Sequence, residues 1–179
     1  MKALLIIDMQ AISFTPATPR YETDAVVARI NALAAQFRTQ GDAVIYIQHD
    51  GTKEGDCLPN TEEWALLSSL EVVPSDDLVS KTANDCFYQS NLAELLQSKG
   101  IQELWMTGCA TDFCVDATIQ SALAKDYQIT VVQDAHTTAD RPNLMAKTVI
   151  DYYNWKWDNM IPTAGSLQVT SFDELMAIA

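Results

Sequence analysis

The sequence predicts an α/β fold of three layers, with helices on both faces of a parallel sheet. Strand-like and helix-like segments alternate along the chain, which is typical of this class. The segments 3–7 and 43–47 are almost continuous apolar runs, as strands covered on both faces require. A length of 179 residues suits one domain, which we place at residues 1–179.

Each element follows from a local pattern of apolar residues bounded by turn residues. We predict strands at 3–8, 43–49, 77–80, 103–107, 129–132 and 167–170, and helices at about 24–40, 62–69, 91–99 and 115–125, after Pro142, and from Phe172 onward. The irregular segments 13–21 and 50–61 are predicted to be loops beside a functional site.

Composition and charge exclude several classes of protein. Eleven basic and twenty-four acidic residues give a net charge of -13, which argues against a surface for nucleic acid or anionic membrane. No apolar run reaches bilayer length, and residues 1–8 lack the features of a signal peptide. The four cysteines form no metal-binding or disulfide pattern, so we expect a reduced, cytoplasmic compartment.

Three chemically complementary residues follow predicted strands. In parallel sheets, ligands bind beyond the carboxyl ends of the strands, a rule that selects Asp8, Lys81 and Cys114. A carboxylate can accept a thiol proton, and an ammonium can stabilise the thiolate that attacks an electrophilic carbon.

Cys114 is the candidate nucleophile. It precedes the predicted helix 115–125, and the positive end of a helix dipole is expected to lower the pKa of a thiol there. Each of the three residues also has a structural interpretation. Cys114 could be a packing residue, Asp8 and Lys81 could form a structural ion pair, or Asp8 could cap a helix while Lys81 lies solvated on the surface.

Five segments resemble the isochorismatase-like cysteine hydrolases, a family that includes nicotinamidases, carbamoylsarcosine amidases and ureidoacrylate-type amidohydrolases. The matching segments are 5–10, 46–51, the surroundings of Lys81, 107–115 and 134–138. Because they keep their order and spacing over nearly the whole chain, the resemblance is specific.

The resemblance implies a six-stranded parallel sheet of order 3-2-1-4-5-6 and an Asp-Lys-Cys triad. Asp8 would act as general base, Lys81 would hold the thiolate, and Cys114 would form a covalent acyl-enzyme that water hydrolyses. The backbone N–H groups of Ala110 and Cys114 would form the oxyanion hole, after a cis peptide bond between Cys109 and Ala110.

Departures from the family limit the chemistry that the resemblance implies. Nicotinamidases hold a divalent metal through an Asp-x-His pair after the second strand, whereas this chain has Gln48-His49-Asp50 there and two histidines in all. We therefore expect no metal and no cofactor. Isochorismatases proper lack the nucleophilic cysteine, so Cys114 favours cleavage of an amide or related C–N bond. The alternatives are vinyl-ether or imide cleavage, or a non-catalytic protein that binds a small molecule.

Aromatic residues near the matching segments predict a pocket for a small, partly apolar or planar substrate. Phe14, Trp64 and Phe113 are the candidate wall residues, and Asn84 and Gln89 are candidates for polar contacts.

The remaining histidines, cysteines and aromatic residues receive supporting roles. His49 is predicted to be a pocket residue, His136 a structural hydrogen-bonding residue, and Cys86 and Cys109 packing residues. The aromatic segment 152–157 is either a cap over the sheet or a subunit interface. Relatives commonly form dimers or tetramers, so we predict a homo-oligomer.

Overall fold

The computed structural model describes residues 1–178. Its strands are β1 (Lys2–Ile7), β2 (Ala43–His49), β3 (Asp77–Lys81), β4 (Glu103–Cys109), β5 (Gln128–Thr137) and β6 (Ser166–Thr170). Its helices are α1 (Thr23–Gln40), α2 (Leu92–Ser98), α3 (Asp116–Leu123), α4 (Ala146–Asp158) and α5 (Phe172–Ile178). The sheet order is β3-β2-β1-β4-β5-β6 and every pairing is parallel, which confirms the predicted fold class and strand order.

The sheet divides the core into two hydrophobic clusters. Side chains alternate across a strand, so Leu5 and Ile7 of β1 face one cluster while Leu4 and Ile6 face the other. The first cluster packs against α2, α3 and α4, and the second against α1 and α5. Both faces of β1 are therefore apolar and buried, as its continuous apolar run predicts.

The segment 62–69 is not a helix, so this part of the sequence prediction is wrong. Its backbone pairs with the chain after β1, where the amide of Ala11 donates to the carbonyl of Ala65 and the amide of Leu67 donates to the carbonyl of Met9. Backbone groups used in this way cannot close the bonds of a regular helix. The tertiary contact overrides the local helix preference.

β5 is longer than predicted because it contains a bulge. Between the pairs Met106–Val131 and Gly108–His136, β5 advances by five residues and β4 by two, which leaves three extra residues on β5. A bulge redirects the side chains that follow it. Residues beyond 132, predicted to lie outside the strand, therefore rejoin the ladder beside β4.

Gly108 allows β4 to approach β1 closely at the carboxyl edge of the sheet. Its φ is +115°, and a Cβ at this position would overlap the backbone of Ile7. Only glycine fits such a close approach without strain. The residue after Ile7 is Asp8, so this contact sets the distance between the end of β1 and the chain that follows β4.

Residues 1–178 contain no helix that is both long and apolar enough to cross a bilayer. In the same range, no group of three or more His, Cys, Asp or Glu side chains is arranged to hold a metal ion.

Candidate active site

Asp8, Lys81 and Cys114 lie together at the carboxyl edge of the sheet. Asp8 follows β1, Lys81 ends β3, and Cys114 lies in the turn after β4. The Nζ atom of Lys81 is 2.7 Å from Oδ2 of Asp8 and 3.5 Å from Sγ of Cys114. The structure thus brings into contact three residues that are far apart in sequence.

The length of the Lys81 side chain explains how it reaches Asp8. β2 lies between β3 and β1, and neighbouring strands are about 4.8 Å apart, so the gap is roughly 10 Å. The lysine stem crosses the end of β2 in a buried position. The Nζ atom also donates a hydrogen bond of 2.9 Å to the carbonyl of Ala83, which fixes the ammonium between its neighbours.

The Asp8 carboxylate has one occupied and one free oxygen. Oδ2 forms the ion pair with Lys81, whereas Oδ1 is buried and has no hydrogen-bond partner. Buried polar atoms in proteins almost always have partners, so an unpaired carboxylate oxygen is unusual. Oδ1 is therefore available to accept a proton.

Cys114 is part of a five-residue π-helical turn, Thr111–Val115, which continues into α3. The expected lowering of its pKa is wrong. Burial raises the pKa of the Cys114 thiol, the Asp8 carboxylate raises it further, and Lys81 lowers it by less than the other two raise it. The resting site therefore holds a neutral thiol beside an ion pair.

Lys81 remains charged in the buried site. Burial alone lowers the pKa of its ammonium, but the Asp8 carboxylate opposes this, and the pKa is raised overall. A permanent positive charge 3.5 Å from the sulfur favours the thiolate once the thiol proton has left.

Two of the predicted pocket residues lie beside the nucleophile. Asn84 is exposed, and its Oδ1 atom is 3.6 Å from Sγ of Cys114. Phe113 precedes Cys114 in the turn, is 48% exposed, and its ring lies under the guanidinium of Arg141 at 4.9 Å.

The other three predicted pocket residues lie in loops near this edge. Phe14 is partly buried against the cluster beneath α1. Trp64 is partly buried, and its carbonyl accepts hydrogen bonds from the side chains of Gln10 and Gln48. Gln89 is exposed between β3 and α2. Their contact with a substrate stays a prediction.

The backbone before Cys114 has a distinctive geometry. The Cys109–Ala110 peptide bond is cis. The carbonyl of Ala110 accepts hydrogen bonds from the amides of Phe113 and Val115, at 3.0 and 3.2 Å. The assignment of the Ala110 and Cys114 amides to an oxyanion hole stays a prediction.

A second ion pair holds the turn that contains Cys114, and the sequence analysis did not predict it. Arg141 contacts both oxygens of Asp112, at 2.7 and 3.0 Å, and Thr138 donates to the same carboxylate at 2.7 Å. Burial opposes the charged form of Asp112, but the hydrogen bonds from Arg141 and Thr138 outweigh it, so the Asp112 pKa is lowered. The only signal in the sequence was a basic residue shortly after a predicted strand.

Gln10 joins segments around the site, a role that the sequence analysis did not identify. Its side chain accepts from the amide of His49 at 2.7 Å and donates to the carbonyls of His49 and Trp64, at 3.1 and 2.9 Å. It thereby joins the ends of β1 and β2 to the long loop. A polar residue two positions after Asp8 was the available signal.

The remaining cysteines are buried and free. Burial raises the pKa of the Cys57, Cys86 and Cys109 thiols to about 11, 12 and 11. Buried protonated thiols behave as small apolar side chains, which agrees with the packing role predicted for Cys86 and Cys109.

The family model described as "Isochorismatase domain" matches residues 2–158. The chain belongs to the isochorismatase family. It is 34% identical over 142 residues to streptothricin hydrolase from Streptomyces noursei, covering 79% of this chain and 51% of that protein. It is also 33% identical over 140 residues to the uncharacterized isochorismatase family protein YddQ of Bacillus subtilis (strain 168), covering 76% of this chain and 77% of that one.

Solved structures of family members share the whole architecture. A crystal structure of an isochorismatase family protein is 30% identical, with a TM-score of 0.86, and covers 95% of this chain and 98% of its own. A putative isochorismatase hydrolase from Oleispira antarctica is 28% identical, with the same TM-score of 0.86, and covers 98% and 96%. The chain spans about half the length of the streptothricin hydrolase that it matches.

Proposed function

We propose that the protein is a cysteine hydrolase that cleaves an amide or related C–N bond of a small molecule. The observation that carries the proposal is the buried Asp8–Lys81 pair, with Oδ1 of Asp8 unpartnered and Cys114 in contact with the lysine. Names of relatives support hydrolysis. Besides streptothricin hydrolase, a ureidoacrylate amidohydrolase of Methylorubrum extorquens is 30% identical over 101 residues, or 55% of this chain.

The first step creates the nucleophile. Because the resting thiol is neutral, its proton must leave before attack, and Oδ1 of Asp8 is the free acceptor. Lys81 keeps its charge and stabilises the thiolate that remains. In this ion pair, Asp8 is thus the base, and Lys81 stabilises the thiolate.

The second step forms the acyl-enzyme. The Cys114 sulfur bonds to the carbonyl carbon, and the carbonyl oxygen gains negative charge. The backbone N–H groups of Ala110 and Cys114 stabilise that charge in this mechanism. The C–N bond then breaks, and the leaving nitrogen takes the proton held by Asp8, so that an amine departs and a thioester on Cys114 remains.

The third step releases the acid. Asp8 takes a proton from a water molecule whose oxygen attacks the thioester carbon. The C–S bond breaks, the thiolate regains the proton from Asp8, and a carboxylic acid leaves. The resting thiol and ion pair are restored, with no cofactor in the cycle.

Asn84 and Phe113 form the substrate side of the site in this proposal. Asn84 is the exposed amide closest to the sulfur among the predicted pocket residues, and Phe113 offers a half-exposed ring one residue before it. A polar group and an apolar ring near the sulfur suit a small planar amide. Phe14, Trp64 and Gln89 would complete the wall.

We also propose that copies of the chain associate through α4. Tyr152 and Trp155 are 55% and 60% exposed on that helix, with ring centroids 5.8 Å apart. Exposed aromatic pairs are enriched in interface cores. Light scattering at micromolar concentration should show a dimer or tetramer, and a monomer would contradict the proposal.

The experiment that tests the activity is a panel of small amides, ureido compounds and imides, followed by intact-protein mass spectrometry and peptide mapping. We expect turnover with at least one C–N substrate and an acyl group on the peptide that contains Cys114. Cys114→Ala should abolish both, while Cys57→Ala, which removes a buried thiol bonded to Gln10 and the His49 carbonyl, should keep both.

Turnover by Cys114→Ala would exclude covalent catalysis by this residue. Cleavage of a vinyl ether with no acylated Cys114 would favour the alternative chemistry. Tight binding of a small molecule without turnover would favour a binding protein.

A further inference from the structure

His136 belongs to a buried chain of hydrogen bonds that joins α4 to the nucleophile turn. Its Nε2 atom is 3.0 Å from Oδ1 of Asn154, and its Nδ1 atom is 2.9 Å from the hydroxyl of Thr111. His136 and Thr111 are 1% and 0% exposed. Both ring nitrogens have a partner, so the imidazole is held in one orientation.

The donor and the acceptor of each hydrogen bond in this row can be assigned by starting from Asn154. The Asn154 Nδ2 group donates to the carbonyl of Gln133 at 3.0 Å, so its Oδ1 faces the ring and accepts from Nε2–H. Burial lowers the pKa of His136 to about 4, so the ring is neutral near pH 7. Nδ1 then carries no proton and accepts from the Thr111 hydroxyl.

The bulge of β5 explains how His136 reaches Thr111. The three extra residues between Val131 and His136 bring His136 opposite Gly108, at the end of β4. Thr111 begins the turn that contains Cys114. Bulges beside functional sites commonly redirect a side chain, and here the redirected side chain meets the start of the nucleophile turn.

We propose that His136, as the Nε2–H tautomer, is a positioning residue that holds Thr111 so that the Cys114 sulfur stays beside Lys81. The inference rests on the proposed function, because it assigns a task within that site. His136 acts through Thr111 and touches neither the sulfur nor the substrate. The hydrogen bond fixes the first residue of the turn, and the sulfur three residues later depends on that anchor.

A matched set of threonine variants tests this role. Thr111→Val removes the hydroxyl and keeps the shape, Thr111→Ser keeps the hydroxyl, and Thr130→Val removes a buried hydroxyl that bonds Gln168 instead. The readout is the rate of Cys114 alkylation by iodoacetamide as a function of pH. This rate reports the thiolate, which Lys81 favours and Asp8 disfavours.

We expect Thr111→Val to change the rate of Cys114 alkylation at pH 8 by about tenfold, because a displaced sulfur no longer lies where burial, Asp8 and Lys81 together set its pKa, and one pKa unit corresponds to a tenfold change in thiolate. Thr111→Ser should recover most of the rate, and Thr130→Val should leave it unchanged. A wild-type rate in Thr111→Val, or an equal change of rate in Thr130→Val, would overturn the proposal.

Nitrogen-15 NMR of the wild-type ring gives a second test that needs no variant. We expect a protonated Nε2 and an unprotonated Nδ1 between pH 6 and 8. The opposite tautomer would contradict the proposed hydrogen bond from the Thr111 hydroxyl to Nδ1. On an amide substrate, Thr111→Val should lower kcat with little change in KM. If the wild type hydrolyses no amide, the proposed function fails, while alkylation and the tautomer still decide the role of His136.

Discussion

Two ion pairs flank Cys114, and they differ in how many hydrogen bonds their carboxylates accept. Asp112 receives both arms of Arg141 and the hydroxyl of Thr138. Asp8 receives only Lys81, through one oxygen, although its side chain is as deeply buried, at 10% exposure against 12%. Two carboxylates of similar burial therefore differ in bonding: both oxygens of Asp112 accept hydrogen bonds, whereas only one oxygen of Asp8 has a partner.

This difference in hydrogen bonding suits one carboxylate to a structural role and the other to a catalytic role. A carboxylate with donors on both oxygens stabilises the fold and accepts a proton less readily, because protonation weakens those hydrogen bonds. A buried carboxylate oxygen without a hydrogen-bond partner lowers the stability of the fold. Such an atom is therefore a sign of a functional site. In the proposed mechanism, Asp112 accordingly positions the turn, and Asp8 takes the thiol proton.

Asp8→Asn should have the largest effect on activity. The amide keeps the size of the side chain but cannot act as the base, and removal of a general base typically lowers kcat by about 10²–10⁴-fold. Circular dichroism should show an unchanged fold, and steady-state kinetics measure the loss. A rate within a few fold of wild type would remove Asp8 from the mechanism.

Lys81→Met should have the largest effect on stability. It leaves Asp8 as a buried charge without its partner, and breaking a buried pair in this way typically costs about 3–5 kcal/mol. Urea denaturation measures the change in the free energy of unfolding.

The double variant Asp8→Asn/Lys81→Met should recover most of the stability lost in Lys81→Met, because no unpaired charge remains. If the double variant is as unstable as the sum of the two single variants, the two residues are not energetically coupled.

Arg141→Met should have a smaller effect, on both stability and turnover. It leaves the Asp112 carboxylate with fewer donors, which typically costs about 1–3 kcal/mol. Because the pKa of Asp112 is lowered in the folded protein, its contribution is complete above its unfolded pKa, about 3.9, and is lost as pH falls through the folded value. The stability difference between Arg141→Met and wild type should therefore shrink toward pH 3. A difference independent of pH would show that the loss is one of packing.

Lys147→Ala should have the smallest effect. Lys147 and Asp151 form a pair at 2.7 Å on the surface of α4, with side chains 59% and 61% exposed. Exposed pairs of this kind contribute little because water and salt screen them. Urea denaturation should show no change beyond experimental error. A clear loss would mean that α4 is covered in solution, which bears on the proposed interface.

Several features could be predicted from the sequence because they depend on local patterns. Continuous apolar runs such as residues 43–47 identified buried parallel strands, and the residues after strand ends identified Asp8, Lys81 and Cys114. The strand order came from the resemblance of five segments to a known family, and the fold confirms it. These inferences need only the identity and order of residues along the chain.

Other features depended on contacts between distant segments. The segment 62–69 lost its expected helix to a backbone pairing with residues 9–11, and the β5 bulge placed His136 against Thr111. No local sequence pattern predicts the backbone pairing or the bulge. Arg141 was missed for the same reason, since its partner Asp112 lies 29 positions away.

The sequence by itself determined the layered α/β fold, the edge of the sheet that holds the site and the residue types found there. The tertiary structure decided their ionisation and their hydrogen-bond partners. It raised the pKa of the Cys114 thiol where a helix N-terminus alone predicts a lowered one, and it left one oxygen of Asp8 without a partner while giving both oxygens of Asp112 donors. The physical reason is that burial and hydrogen-bond partners set a pKa, and both exist only once distant segments have packed together.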